Sequence, residues 1–271
     1  MIQRIPRQSE SARRPGNAQV FQRPGSAMPA AIVTGSSRGI GAAIAERFAA
    51  DGYDVVVNYN ESATAAEETA AAVRAAGSEA VVRQADVSEY DEAASLVEAA
   101  VEAFGGVDHL VNNAGIDQHV YTADLDPGDF DRVMDVNVNS AFNCTKAALP
   151  ELEASGDDPG ASVTNVSSVL AFTGAPIECH YAGSKGALVS LSKSHARDFA
   201  PEIRVNAIAP GHVETDMTAD RSAEEKKEEL AEIPVERYGE VEDIAEAAAY
   251  LRDAGFVTGE TLHVNGGELM R

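Results

Sequence analysis

From Ala30 onward, short apolar runs alternate with longer alanine-rich stretches whose apolar positions recur every three or four residues. The runs are Ala30–Gly35 (AAIVTG), Asp54–Tyr59 (DVVVNY), Ala80–Asp86 (AVVRQAD), Val107–Gly115 (VDHLVNNAG), Ala161–Ser168 (ASVTNVSS), Ile203–Gly211 (IRVNAIAPG) and Thr261–Gly267 (TLHVNGG). Each reads as a strand. The stretches between them predict helices over 40–51, 62–76, 89–104, 127–154, 181–200 and 241–254. Strands alternating with helices this long imply βαβ crossovers, and hence an α/β fold: one doubly wound, buried parallel sheet with helices on both faces. No internal repeat is evident. The hexapeptide Ser155–Gly160 (SGDDPG) predicts a surface turn. The run 213–238 is too polar for a core element and reads as a lid over the sheet edge, with the charged EEKKEEL from Glu224 as its solvated helix.

Residues 1–27 do not share this pattern. They hold five arginines (Arg4, Arg7, Arg13, Arg14 and Arg23) against Glu10 alone, and Pro6, Pro15 and Pro24 interrupt any helix. No continuous apolar segment of signal-peptide type is present. They read as a disordered or spurious extension, leaving one domain over 28–271 with translation starting at Met28 as an alternative. No apolar run approaches the roughly 20 residues of a membrane span. Cys144 and Cys179, the only two cysteines, have no metal or disulfide spacing, which points to a reduced, cytoplasmic setting. Acidic residues number 44 against 21 basic ones, and only five of the latter are lysines. Such a surface repels nucleic acid and anionic membrane, excluding both as partners. Acid-rich, lysine-poor composition resembles that of proteins from salt-loving archaea, where a Debye length of about 3 Å screens self-repulsion.

The first strand run leads into Thr34–Gly41 (TGSSRGIG) and then a helix. Gly35, Gly39 and Gly41 allow a tight turn and close backbone approach. The N–H groups of Ser37, Arg38 and Ile40 open toward the positive end of the helix dipole, where a pyrophosphate is favoured. At this place in the chain the motif marks a Rossmann-type dinucleotide fold. An acid ending the second strand would bind a ribose 2′-hydroxyl. Asn58, Tyr59 and Asn60 stand there instead, and Arg38 can pair with a 2′-phosphate. NADP(H) is therefore preferred, with Glu61 keeping NAD(H) open. Asp86 and Val87 are placed to meet the adenine, and Asn113, Ala114 and Gly115 end the fourth strand on the same edge. No His/Cys/acid group has metal-ligand spacing.

With Asn112–Gly115 (NNAG), a serine thirteen residues before a tyrosine, and Tyr181–Lys185 (YAGSK), the chain resembles the short-chain dehydrogenase/reductase superfamily from Met28 to Gly267. The resemblance implies Tyr181 as the acid/base. Lys185 would bind the nicotinamide ribose and draw the tyrosine's pKa toward neutrality. Ser168 would bond the substrate carbonyl. Asn137 would hold a water in a relay to the lysine; Asn139 is its neighbour, and the spacing to Phe142 favours Asn137. In the stretch PGHVETDM, the resemblance places Pro210, Gly211, Val213 and Thr215 against the cofactor. His180 is expected on the helix surface, pointing away. Gln118, Leu170, Phe172, Ile177 and Met217 are pocket candidates that could equally be ordinary packing.

Within the superfamily the pattern is closest to 3-oxoacyl thioester reductases acting on carrier-protein or CoA esters, and glucose and alcohol dehydrogenases share the scaffold. Acid-bearing segments near Ser155–Gly160 and Asp198–Arg204 argue against an acidic carrier protein and for a CoA thioester or small ketone. A dinucleotide-binding sensor without chemistry is the alternative of another class; it would be expected to lack the tyrosine or lysine. The resemblance also implies a homotetramer, for which the alanine-rich Ile244–Leu251 offers a small-residue face.

Overall fold

The computed structural model describes residues 28–155, 160–215 and 223–270. The extension 1–27, the inner part of the SGDDPG turn, Met217 and part of the lid segment lie outside these described residues. The strand runs fold as β1 (Ala30–Val33), β2 (Asp54–Tyr59), β3 (Ala80–Gln84), β4 (His109–Asn112), β5 (Ala161–Val166), β6 (Ile203–Pro210) and β7 (Thr261–Val264). They form one parallel sheet in the order β3-β2-β1-β4-β5-β6-β7. Ile32 pairs with Val56 on one side and Leu110 on the other. The order reverses between β1 and β4, so a crevice opens at the carboxyl ends of those strands, where such sheets bind ligands.

The helices are α1 (Gly39–Ala50), α2 (Ala63–Ala75), α3 (Tyr90–Phe104), α4 (Pro127–Met134), α5 (Ser140–Ala154), α6 (Leu170–Thr173), α7 (Cys179–Phe199), α8 (Ala223–Glu232) and α9 (Val241–Asp253). Alternate strand residues feed two cores. Ala31, Val33, Val55 and Val57 pack with Ile44, Phe48, Ile244 and Leu251 on one face. Ile32, Val56 and Val163 pack with Leu96, Leu110 and Leu152 on the other. Burial of each such large side chain is worth about 1.5–3 kcal/mol, so register is fixed from both faces. The alanine face of α9 is spent here: Ala245, Ala248 and Ala249 are buried within the chain's own core.

Where the sequence predicts one helix over 127–154, the structure breaks it. Asp126 caps α4, its Oδ1 accepting from Gly128 N at 2.8 Å. Residues Asp135–Asn139 then form a π-helical turn before α5 begins. The extra residue in that turn brings Asn137 inside, 1% exposed, and leaves Asn139 at the surface bonded to Asp135. Such bulges occur often at functional sites. The lid segment is less polar in practice than its sequence suggests, because Ile233 and Tyr238 are buried beside the short Val213–Gly239 bridge.

Candidate active site

The glycine loop and the loop after β4 are one interlocked unit. Thr34 Oγ1 accepts from Asn113 N and Ala114 N, each at 3.0 Å. The Asn113 amide donates to Thr34 O at 3.0 Å and Gly35 O at 3.1 Å. A Cβ on Gly41 would lie 2.5 Å from Asn113 Nδ2 and from Gly35 O, and one on Gly35 would lie 2.9 Å from Ala114 Cα. Gly35 and Gly39 take φ of 60° and 58°, the left-handed region that glycine enters without cost. Arg38 is exposed at the tip, the Ser37 carbonyl accepts from Thr69, and Ile40 packs against the first core. Thr215, from the loop after β6, reaches this unit: its Cγ2 lies 3.9 Å from where a Gly39 Cβ would be.

Asn58 departs from the role the sequence suggests. It is 2% exposed, and its Oδ1 accepts from Gly35 N at 3.0 Å while its Nδ2 reaches the carbonyls of Arg83 and Ala85. It ties the glycine loop to β3 from beneath, while Tyr59 is half-buried and Asn60 exposed. Asp86 folds back on Ser88, accepting from its N and Oγ, and Val87 is buried in the second core. Asn143 on α5, which the sequence gave no reason to single out, holds this loop by donating to Ser88 O at 2.8 Å.

The reactive side chains converge where β5 ends beside α7. Ser168 stands near enough to Tyr181 to favour the ionised form of its hydroxyl. Ser168 Oγ accepts from Leu170 N at 3.1 Å, which leaves its proton free to be donated. Lys185 Nζ donates to Val166 O at 2.9 Å and stands 5.4 Å from the centre of the Tyr181 ring. Asn137 Oδ1 accepts from Ile116 N at 2.8 Å, and its Nδ2 donates to Ile116 O and to Ser184 Oγ, each at 2.9 Å. Gly115 lies between the two: a Cβ there would sit 3.2 Å from Asn137 Oδ1 and 3.3 Å from Lys185 Nζ. Ser167 Oγ and β6 complete the frame, through Lys185 O and through Ser167 N donating to Ile208 O.

Burial sets the electrostatics. It pushes the Tyr181 hydroxyl above its ordinary value, with the charges of Asp117 and Glu178 adding and Ser168 opposing. The sequence-based expectation of a tyrosine drawn toward neutrality by Lys185 is therefore reversed in this state. Burial also pulls Lys185 down to about 8, against the upward effect of Asp117. His180 differs from expectation too. It is fully buried rather than at the surface, and neither ring nitrogen has a hydrogen-bond partner among the described residues. Helix α7 packs against α4 and the π turn. Cys179 is exposed, and the Cys144 thiol is pushed up to about 12 by burial.

Of the pocket candidates, Gln118 donates to Asp129, and Ile177 is exposed with φ 57°, an unusual conformation for a branched residue. Leu170 opens α6. Phe172 turns toward β7 and packs on His263, ring centres 4.7 Å apart. In the loop after β6, Pro210 O accepts from Val169 N, Val213 is buried, and Gly211 lies so close to Asn265 and Glu268 that no Cβ fits. The close backbone at Gly35, Gly41 and Gly115, together with the exposed cation of Arg38, fits a nicotinamide dinucleotide. A buried polar chain that single residues did not reveal supports the floor: Asn112 donates to Thr145 and Asn165, and Asn165 to Ser192.

A family model described as Enoyl-(Acyl carrier protein) reductase matches residues 35–268. The chain is 40% identical over 245 residues to 3-oxoacyl-[acyl-carrier-protein] reductase FabG of Staphylococcus aureus, spanning 89% of this chain and 98% of the relative. It is also 40% identical over 242 residues to Glucose 1-dehydrogenase 2 of Bacillus subtilis, spanning 88% and 93% respectively. A solved short-chain dehydrogenase from Burkholderia cenocepacia in complex with NADP superposes with a TM-score of 0.82 at 36% identity, over 89% of this chain and 97% of that one. A short-chain dehydrogenase/reductase (glucose/ribitol dehydrogenase) from Brucella melitensis superposes equally, with a TM-score of 0.82 at 36% identity over 90% and 97%.

Proposed function

Because the chain belongs to the short-chain dehydrogenase/reductase superfamily and is an oxidoreductase, we propose that it is an NADP(H)-dependent reductase of a 3-oxoacyl thioester, with Tyr181 delivering the proton. The observation that carries this reading is the convergence of Ser168, Tyr181 and Lys185 at the end of β5, with Lys185 Nζ 5.4 Å from the centre of the Tyr181 ring and anchored to Val166 O. A nicotinamide cofactor, when bound, supplies the hydride. The chain's own part is to hold the carbonyl and protonate its oxygen. Tyr181, kept protonated by burial, is an acid at neutral pH, and Ser168 can donate to the same oxygen. When the proton leaves, a phenolate remains, and the Lys185 ammonium stabilises it. Asn137 acts from behind by fixing Ile116, and with it the strand-end loop, against the lysine.

The preference for NADP(H) rests on the uncharged end of β2 and on Arg38 at the loop tip. The acid-rich composition disfavours docking of an acidic carrier protein, which leaves a CoA thioester or a small ketone as the substrates proposed. We read the same excess as fitting a brine cytoplasm, and exposed Phe142, Tyr250 and Phe256 as fitting a homotetramer. Purified protein mixed with NADPH and acetoacetyl-CoA in about 2 M KCl should consume NADPH absorbance. The likeness to Glucose 1-dehydrogenase 2 supports the second reading, a sugar or alcohol dehydrogenase. Activity with glucose and NADP⁺ but none with the thioester would replace the first reading by the second. Tight cofactor binding without turnover on either would leave a sensor.

A further inference from the structure

The segment that follows β6 borders the crevice at two places. Pro210 O accepts from Val169 N at 2.8 Å, next to Ser168. Five residues on, Thr215 reaches the glycine loop, its Cγ2 3.9 Å from where a Gly39 Cβ would lie. Between them stands His212, which the proposed chemistry leaves unused. Its Nδ1 lies 3.1 Å from Glu268 Oε2, and its backbone N donates to that same oxygen at 3.2 Å. Glu268 follows β7 near the end of the chain and is well covered, its side chain 14% exposed. His212 Nε2 lies 3.8 Å from Glu229 Oε2 on α8. Tyr238 donates its hydroxyl to that Glu229 oxygen and stacks on the imidazole, ring centres 5.7 Å apart at 18°. One ring thus joins the end of β6, the charged helix α8 and the last turn of the chain.

The backbone repeats the arrangement. Gly239 N donates to His212 O at 2.8 Å, and Gly211 N to Val264 O at 3.0 Å. A Cβ on Gly211 would lie 2.5 Å from Glu268 Oε2, so the last turn is pressed against this segment. Hydrogen bonds to a carboxylate are about twice as strong as neutral ones, which makes Glu268 a firm anchor. We infer that His212 is a positioning residue for the nicotinamide half of the cofactor: held by Glu268 and Glu229, it sets the segment 210–215 at its distance from Ser168 and from the glycine loop. This rests on the dinucleotide reading of the crevice. The adenine end of that crevice is built from β2 and the loop after β3. In the sheet, β2 lies four strand positions from β6, about 19 Å at ordinary strand spacing. A ligand confined to the adenine end therefore does not meet the segment.

The test is a pair of affinities, for NADPH and for adenosine 2′,5′-bisphosphate, which lacks the nicotinamide half. His212→Phe keeps a ring to stack on Tyr238 and removes both nitrogens. Its Kd for NADPH should rise about tenfold or more, while that for the bisphosphate stays within about twofold. KM for NADPH should rise likewise, with kcat falling less. A chain that is only loosened would lose both ligands together. His212→Asn keeps a donor where Nδ1 stands and should recover most of the NADPH affinity. Should His212→Phe fail to fold, Glu268→Ala removes the acceptor from near the chain end and should give the same split. A folded variant that binds NADPH as the wild type does, or weakens both ligands equally, would overturn the inference. So would a His212→Asn variant no better than His212→Phe. A wild type that binds NADH and not NADPH allows the same comparison with NADH and ADP. Wild-type affinity for neither dinucleotide would reject the dinucleotide reading itself, and this inference with it.

Discussion

Tyr181 and Lys185 are moved in opposite directions by the same burial: the phenol is held neutral, and the ammonium is brought down to about 8. Lys185 is therefore charged below about pH 8 and loses that charge above it. The kcat/KM for carbonyl reduction should be level on the acid side and fall as pH rises through about 8, with a stopped-flow or steady-state pH profile as the check. Tyr181→Phe removes the proton donor and leaves the nucleotide cradle intact. It should lower turnover about a thousandfold or more, while NADPH affinity, measured by fluorescence titration, stays within about threefold. Gly115→Ala would place a methyl 3.2 Å from Asn137 Oδ1 and 3.3 Å from Lys185 Nζ. A shifted lysine should cost about tenfold in kcat with little change in melting temperature. The residues we propose for the reaction were legible because the motifs that carry the family resemblance are local to the end of β5 and the start of α7. The direction of the tyrosine's shift was not, because Asp117 and the burial around it come from other parts of the chain.

The seven strand runs and most helices lie within a few residues of where periodicity puts them; 241–254 against Val241–Asp253 is typical. The failure at 127–154 is instructive. Apolar periodicity does not register a π turn, because one extra residue per turn is decided by what Asn137 bonds, namely Ile116 and Ser184. Asn58 teaches the same point on β2. As a sequence neighbour of Tyr59 it looked like a ribose contact, yet it is the buried bolt between the glycine loop and β3. Asn58→Leu would leave the Gly35 N–H and two carbonyls without their partner. It should destabilise the fold by about 1–3 kcal/mol and raise KM for the cofactor, read by thermal unfolding and by kinetics on the same sample. Unchanged KM in a folded variant would show that the loop keeps its shape without this bolt.

At the scale of the molecule, 44 acidic against 21 basic residues make self-repulsion the dominant long-range force at low salt. Screening should therefore stabilise the folded chain. Its melting temperature should rise by about 10 °C or more between about 0.1 and about 3 M KCl, measured by circular dichroism. A flat or falling curve would reject the reading of brine adaptation. None of the described helices is long and apolar enough to cross a membrane. The exposed aromatics Phe142, Tyr250 and Phe256 lie on different helices and the loop before β7. Light scattering across protein concentration should return a mass near four chains if they are covered by copies of this chain.

The sequence by itself determined the parallel α/β sheet, the glycine turn at its first strand and the motifs that hold the serine, tyrosine and lysine we propose for the reaction. These are written in local spacing and in runs of apolar residues, which physical chemistry converts directly into strands, helices and turns. Only the tertiary structure decided which polar residues are tools and which are fastenings. Asn58, Asn112 and Asn165 were spent on buried hydrogen bonds, His180 was buried, and Asp117 and Glu178 were brought together around His119. Their roles depend on partners 20 or more residues away, or on burial that no single stretch of chain can supply.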